Sequence, residues 1–175
     1  MKVLIVSFDC DAEAAALRAS LEWFHTDVMI RYIGRPKDFL DVIEGDVLFM
    51  PDVLILCGHG EDGEFLMPEL APEIYLDGEP RNISPDDVRA HLKIRPQICV
   101  STACTSGTPE MGATFAECGV PYLAPCDYIE GAAPLFFITH VFYLHLFCGK
   151  SFAEAAEIAR TTDAETDLYR LYLPE

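Results

Sequence analysis

The sequence predicts an α/β domain, with a mostly parallel central sheet and helices on both of its faces. Three observations carry that expectation. Short, mostly apolar runs from Val3 to Phe8, Val28 to Ile33, Val53 to Cys57, Gln97 to Ser101 and Tyr122 to Ala124 have the length of strands. Strands covered on both faces read as nearly continuous apolar runs rather than as strict alternation. Helix-length segments with cap residues stand between those runs, and strand–helix alternation of this kind gives parallel pairing through crossover helices. No repeat, low-complexity stretch or linker interrupts residues 1–175, so one domain is expected.

Each element has a local reason. The Val3 to Phe8 run ends in acids, and Asp11 is positioned to cap an Ala-rich helix through about Phe24. Gly34 closes the second strand. Pro36 opens a short helix to Glu44 at an early position, where its missing N–H is no loss. After the third strand, Leu66 to Pro80 is expected to be a strand-rich excursion with a turn at Asp77-Gly78. Ser84-Pro85-Asp86-Asp87 combines a cap, an early proline and first-turn acids, and starts a helix to about Leu92. Thr108-Pro109-Glu110 caps the next helix, which stops at Gly119. A long apolar helix from Ala133 to Cys148 ends at Gly149, and Ser151 starts a last helix through about Arg160.

Charge and cysteine usage exclude whole classes. Twelve basic residues against twenty-nine acidic give a net charge of −17. That field repels phosphate backbones and anionic lipid, so neither a nucleic-acid nor a membrane partner is expected. It suits a basic peptide or protein. Cysteines stand at positions 10, 57, 99, 104, 118, 126 and 148, an odd number with no C-x-x-C spacing. Such a set reads as reduced thiols and a cytoplasmic location. The apolar start after Lys2 is too short for a signal peptide. The Ala132 to Cys148 stretch contains Pro134, His140 and His145 and is read as a buried helix rather than a membrane span.

In open parallel sheets, sites form beyond the carboxyl ends of the strands. Those ends read Asp9-Cys10-Asp11, Cys57-Gly58-His59-Gly60, Ser101-Thr102-Ala103-Cys104 and Pro125-Cys126-Asp127. If the third and fourth strands are neighbours, His59 and Cys104 emerge side by side. A thiol with an ordinary pKa of about 8.5 is mostly protonated at neutral pH, and a nearby imidazole raises its thiolate fraction. The same imidazole can protonate a leaving amine. Backbone N–H groups of Gly60 and Cys104 would then form a two-donor oxyanion hole. The same residues also fit a loop-capping histidine and one more buried thiol.

The run Leu54-Ile55-Leu56-Cys57-Gly58-His59-Gly60, followed by Val100-Ser101-Thr102-Ala103-Cys104, resembles the His-Gly and Ala-Cys pair of caspase-like (clan CD) cysteine peptidases. It is most similar to the bacterial CHAT-type branch, related to separase, clostripain and metacaspases. Further similarity lies in Ser84 to Val88, Phe115 to Pro121, Phe142 to Ser151 and Ala155 to Arg160. The likeness covers about Val53 to Arg160, and the first fifty residues match only in pattern. His59 and Cys104 are 45 residues apart, near the caspase spacing of about 50.

This resemblance implies a three-layer caspase/haemoglobinase-like fold and a thiol protease. Its hydrolysis of peptide bonds would run through a thioester acyl-enzyme. A catalytically inactive caspase-like interaction scaffold is the alternative it leaves open. The caspase Q-A-C-x-G pattern stands here as Thr102-Ala103-Cys104-Thr105-Ser106-Gly107, and no arginine sits at a strand end. Specificity for aspartate before the cleaved bond is therefore not expected. Asp9, Asp11 and Asp127 suit a P1 Arg or Lys, as in clostripain-like relatives, and suit helix capping or solvation equally well.

Other chemistry fits poorly. His140 and His145 are five apart, which is not an i, i+4 metal pair, and His25 and His91 stand alone near helix ends. Cys10, Cys57 and Cys126 lie at strand ends beside Cys104 but lack the paired spacing of zinc sites. Glu61, Asp62, Glu64, Glu69 and Glu73 lack EF-hand spacing and read as a solvated loop. No metal and no cofactor is expected. A phosphate-receiving receiver domain would need an Asp where His59 stands, and a flavodoxin-like phosphate site would be repelled by Asp9 and Asp11.

Overall fold

The computed structural model describes residues 1–175. Its elements in chain order are β1 (Lys2–Phe8), α1 (Asp11–Trp23), β2 (Asp27–Tyr32), α2 (Pro36–Glu44), β3 (Val53–Glu61) and β4 (Glu64–Leu66). There follow α3 (Pro85–His91), β5 (Ile98–Ser101), α4 (Pro109–Glu117), β6 (Tyr122–Pro125), α5 (Ala133–Cys148), α6 (Phe152–Arg160) and β7 (Tyr169–Tyr172). The sheet order is β2-β1-β3-β5-β6-β7, with β4 attached to β3 as a hairpin. Pairing is parallel from β2 through β6, while β7 and β4 are antiparallel.

The period of two along each strand sorts side chains onto two cores. Leu4, Val6 and Phe8 of β1 and Leu54 and Leu56 of β3 face Phe39 and Ile43 of α2, Val88 of α3 and Phe115 of α4. Val3, Ile5, Val53, Ile55 and Cys57 face the other way, onto Leu17 and Leu21 of α1, Phe137 and Val141 of α5 and Ala155 of α6. This is the expected mixed α/β sandwich with helices on both faces. No helix is long and apolar enough to cross a membrane. One face of α5 is buried through Phe137, Ile138 and Val141, while Phe136, Tyr143 and Phe147 on its other side are exposed. The helix is thus half-covered rather than wholly buried.

Local chemistry explains most boundaries. Ser84 and Ser151 form capping boxes with Asp87 and Glu154, and Thr108 accepts from the Met111 N–H at 3.4 Å. Asp11 does not cap α1. It is the first helical residue, the cap position falls on Cys10, and the Asp11 carboxylate accepts from Ser7 Oγ at 2.9 Å.

Three further departures from the sequence expectation matter. First, β3 continues past Cys57 to Glu61, because Asp62 (φ 51°) and Gly63 (φ 83°) make a two-residue hairpin back into β4. Such turns need positive φ at both positions, and Asp-Gly is a favoured pair for them. Second, the Leu66 to Pro80 excursion is not strand-rich: only Leu66 belongs to a strand, and a 3₁₀ turn occupies Pro72–Ile74. The turn at Asp77-Gly78 is present, with Gly78 at φ 77°. Third, β7 was not legible as a strand.

A part-buried ion pair holds the excursion. Glu79, with its side chain 2% exposed, pairs with Arg35 at 2.6 Å and accepts from the Leu76 and Lys37 N–H groups, each at 2.8 Å. The Arg35 hydrogen bonds chiefly lower its carboxyl from an ordinary 4.5 to about 2. A carboxyl depressed on folding contributes stability that is full above its unfolded pKa and is lost as pH falls through the folded one. Protection of the Leu76 and Lys37 amides, measured against the intrinsic exchange rate at each pH, is therefore expected to fall between about pH 4.5 and 2. In Glu79→Gln the acid step should vanish. An unchanged step in that variant would show that another group sets it.

Candidate active site

Two glycines shape the end of β3. A Cβ on Gly58 would lie 2.1 Å from the Phe8 ring, and one on Gly60 would lie 2.3 Å from the Cys104 carbonyl oxygen. Both are far inside van der Waals contact, so neither position admits a side chain. His59 stands between them and therefore points to the opposite face, the one that carries Cys57 and the α1/α5/α6 core. Its side chain is exposed.

Cys104 lies in the turn after β5, half-buried against that same core, with Sγ 3.9 Å from the Ile129 carbonyl. The turn is held on several sides. Thr102 N–H donates to the Leu56 carbonyl at 2.9 Å, and Thr102 Oγ1 accepts from Gly58 N–H at 3.3 Å. Inside it, Ser106 Oγ donates to the Ala103 carbonyl at 2.7 Å and lies 2.8 Å from Ser101 Oγ. Tyr122 OH donates to the Ser106 carbonyl at 3.2 Å. Thr105 takes a left-handed conformation (φ 54°), its N–H donates to the Asp127 carbonyl at 3.2 Å, and its Oγ1 accepts from Gly63 N–H at 3.4 Å. Cys104 is thus fixed to the β3–β4 hairpin on one side and to the loop after β6 on the other.

The two backbone donors have a common feature. Phe65, opposite Gly60 across the hairpin, directs its own N–H and C=O to Ile83 at 3.0 and 2.9 Å. Gly60 and Phe65 therefore form the non-hydrogen-bonded type of antiparallel pair, and the Gly60 N–H faces away from β4. The Cys104 N–H reaches no acceptor in the chain.

The three aspartates are distributed along this edge. Asp9 follows β1 in a left-handed conformation (φ 64°) and is exposed. Asp11 opens α1. Asp127 adjoins the Cys104 turn through its carbonyl, while its carboxylate accepts from the Tyr128 N–H at 2.7 Å. Tyr128 OH reaches Glu61 Oε1 at 3.4 Å, and that carboxylate is the main cause of an upward shift in the Tyr128 hydroxyl.

Sequence reasoning missed Glu13. From the first turn of α1 its Oε2 accepts from Cys10 Sγ at 3.5 Å and from Cys57 Sγ at 3.3 Å. Burial, and then Glu13, pushes the Cys10 thiol up to about 11 and the Cys57 thiol well above its ordinary range. Cys99 is raised by complete burial. These three are poor nucleophiles. Cys126 does not join Cys10 and Cys57: it lies half-buried beyond β6, with its N–H on the Leu168 carbonyl. Tyr169 was also missed; it is fully buried with its hydroxyl unpaired, and burial followed by Glu13 raises it strongly. An apolar concavity of about 370 Å³ under Trp23, Phe24, His25, Tyr143 and Phe147 lies at the opposite end of α1 and contains no thiol.

No family model matches the sequence, and no curated protein does. Among solved structures, the chain is similar to a secreted C11 cysteine protease from Bacteroides thetaiotaomicron, determined in complex with an irreversible peptide inhibitor. Identity is 11% and the TM-score 0.50, over 88% of this chain and 56% of that one. The chain spans little more than half the length of that protease. A response regulator of red-light signalling in R. palustris aligns at 14% identity over 82% of this chain and 93% of its own, with a TM-score of 0.43, too low to bear on the fold. The chain's fold, a mostly parallel central sheet between helical layers, is similar to that of a clan CD cysteine protease.

Proposed function

We propose that this chain is a caspase-like cysteine endopeptidase of the bacterial CHAT-type branch, with Cys104 as nucleophile and His59 as general base and acid. The observation that carries the reading is the contact between the end of β3 and the Cys104 turn. Gly60 leaves no room for a Cβ against the Cys104 carbonyl, and strand parity turns His59 to the face on which Cys104 packs.

The chemistry follows from those roles. His59 takes the thiol proton as Sγ attacks the peptide carbonyl carbon, and a C–S bond forms. The carbonyl oxygen gains the negative charge, for which the Gly60 and Cys104 N–H groups are the donors. His59 then gives its proton to the departing amine, leaving a thioester. Water, deprotonated by His59, attacks the thioester and releases the carboxylic acid and the thiol. Asp9, Asp11 and Asp127 would favour a basic residue before the cleaved bond, and so a basic peptide or protein substrate. Seven free thiols favour the reducing cytoplasm.

Alkylation of all seven thiols, followed by peptide mass mapping between about pH 5 and 9, tests the pair without a substrate. Cys104 is expected to react fastest at the acid end and to lose that advantage in His59→Ala. A Cys104 that is inert, or indifferent to His59, would leave an interaction scaffold as the better reading.

A further inference from the structure

We propose that Cys10, Glu13 and Cys57 form a binding site for a thiophilic divalent cation, with zinc the best match to the donors. Cys10 is the cap residue of α1, Glu13 lies in the first turn of that helix, and Cys57 comes from β3, more than forty residues on. That is why no short cysteine spacing marks them. Parallel pairing sets Cys57 opposite Ser7, and the left-handed Asp9 then turns the chain so that Cys10 lies over Cys57, its carbonyl 3.6 Å from Cys57 Sγ.

Distances support zinc. Zinc binds sulfur at about 2.3 Å and carboxylate oxygen at about 2.0 Å, so a tetrahedron places a sulfur and an oxygen ligand about 3.5 Å apart and two sulfurs about 3.8 Å apart. The Glu13 oxygen lies 3.5 Å from one sulfur and 3.3 Å from the other, and one ligand atom from each residue lies within 4.8 Å of the other two. Both sulfur–oxygen separations thus already match edges of the coordination polyhedron.

An independent observation points to a cation. Glu13 Oε1 is buried, and no hydrogen-bond donor of the chain reaches it. Its other oxygen accepts only from two thiols, which are weak donors. A carboxylate so poorly satisfied is costly to bury, and a bound cation would offset that. The charge balances: two thiol protons leave to solvent as the dication enters, so the net charge of the site is unchanged. Three protein ligands leave a fourth position for water.

Cobalt(II) titration of the reduced protein tests this, since tetrahedral cobalt–thiolate centres absorb visibly. One equivalent should bind with the tetrahedral band, be displaced by zinc, and resist excess magnesium, which prefers oxygen ligands. Cys10→Ser and Glu13→Gln should each weaken binding by at least about tenfold, since loss of even an outer-shell partner of a metal ligand costs about 10- to 100-fold. Cys104→Ala and His59→Ala should leave it unchanged. Cys57 is fully buried, so Cys10→Ser, at a half-buried position and checked by circular dichroism, is the decisive variant. Zinc should also raise the Tm of wild type and not of Cys10→Ser. Failure of the wild type to bind cobalt overturns the proposal. Equal binding by Cys10→Ser, or binding that follows Cys104 and His59, does so too.

Discussion

Cys104→Ala is expected to abolish peptide hydrolysis while leaving the fold intact. Removing the nucleophile of a covalent mechanism lowers kcat by on the order of 10⁵- to 10⁶-fold, because attack, thioester and acyl transfer all disappear together. Little structural penalty opposes this reading of a null result. Cys104 is only half-buried at the edge of the core, and its thiol makes a single weak hydrogen bond, to the Ile129 carbonyl at 3.9 Å. The hydrogen bonds that shape the turn belong to Thr102, Thr105 and Ser106. The comparison is best made with fluorogenic peptides carrying Arg or Lys at P1 and, in parallel, Asp. Turnover of the basic reporters by the wild type and by no Cys104→Ala sample is the expected pattern. Cleavage of Asp reporters alone would remove the assigned role of Asp9, Asp11 and Asp127, and activity that survives in Cys104→Ala would remove that of the nucleophile.

Gly60→Ala is expected to disable the site by a different route, through position rather than chemistry. The new Cβ would meet the Cys104 carbonyl at 2.3 Å, the Glu64 carbonyl at 3.2 Å and the Ala103 Cβ at 3.2 Å. Two of these are backbone atoms, and the turn that carries one of them is tied to Leu56, Gly58, Gly63 and Asp127. The conflict has to be relieved by separating β3 from the Cys104 turn. Overpacking of this kind costs about 1–3 kcal/mol of stability. A displacement of about 1 Å between reacting groups costs about 10² in rate. Both the N–H of residue 60 and that of Cys104 would move, so the loss should fall on kcat more than on KM. The measurement is a denaturant midpoint together with steady-state kinetics. A variant of wild-type stability and rate would show that the contact with Cys104 is dispensable.

How much of this was legible beforehand differs from element to element. The core strands β1, β3 and β5 are visible as apolar runs because both of their faces are covered, and a run such as Val3 to Phe8 has no other use in a chain this acidic. Helices α3 and α6 were legible for a local reason, since Ser84 with Asp87 and Ser151 with Glu154 satisfy their own first turns. The Asp62-Gly63 hairpin carried a turn signal of the same strength as Asp77-Gly78, yet β4 after it has three residues and no periodicity to read. Strand β7 was hidden for a related reason. Tyr169–Tyr172 holds its place by pairing with β6 and by the Tyr172 hydroxyl on the Gly107 carbonyl at 2.7 Å, partners that lie far away in sequence.

Sequence alone therefore determined the alternation of strands and helices, the acidic surface, and the presence of His59, Gly60 and Cys104 at strand ends. Those features depend on residue type and on spacing within one element. Only the tertiary structure decided that His59 stands on a strand rather than a loop, and that Gly60 abuts Cys104. It also decided that Cys10, Glu13 and Cys57 meet, with both thiols on the Glu13 carboxylate. Each of these depends on sheet register, which pairs β1 with β3 and β3 with β5 across tens of residues. Register is a property of the packed sheet, because a shift of one residue would turn His59 and Cys57 to the opposite face.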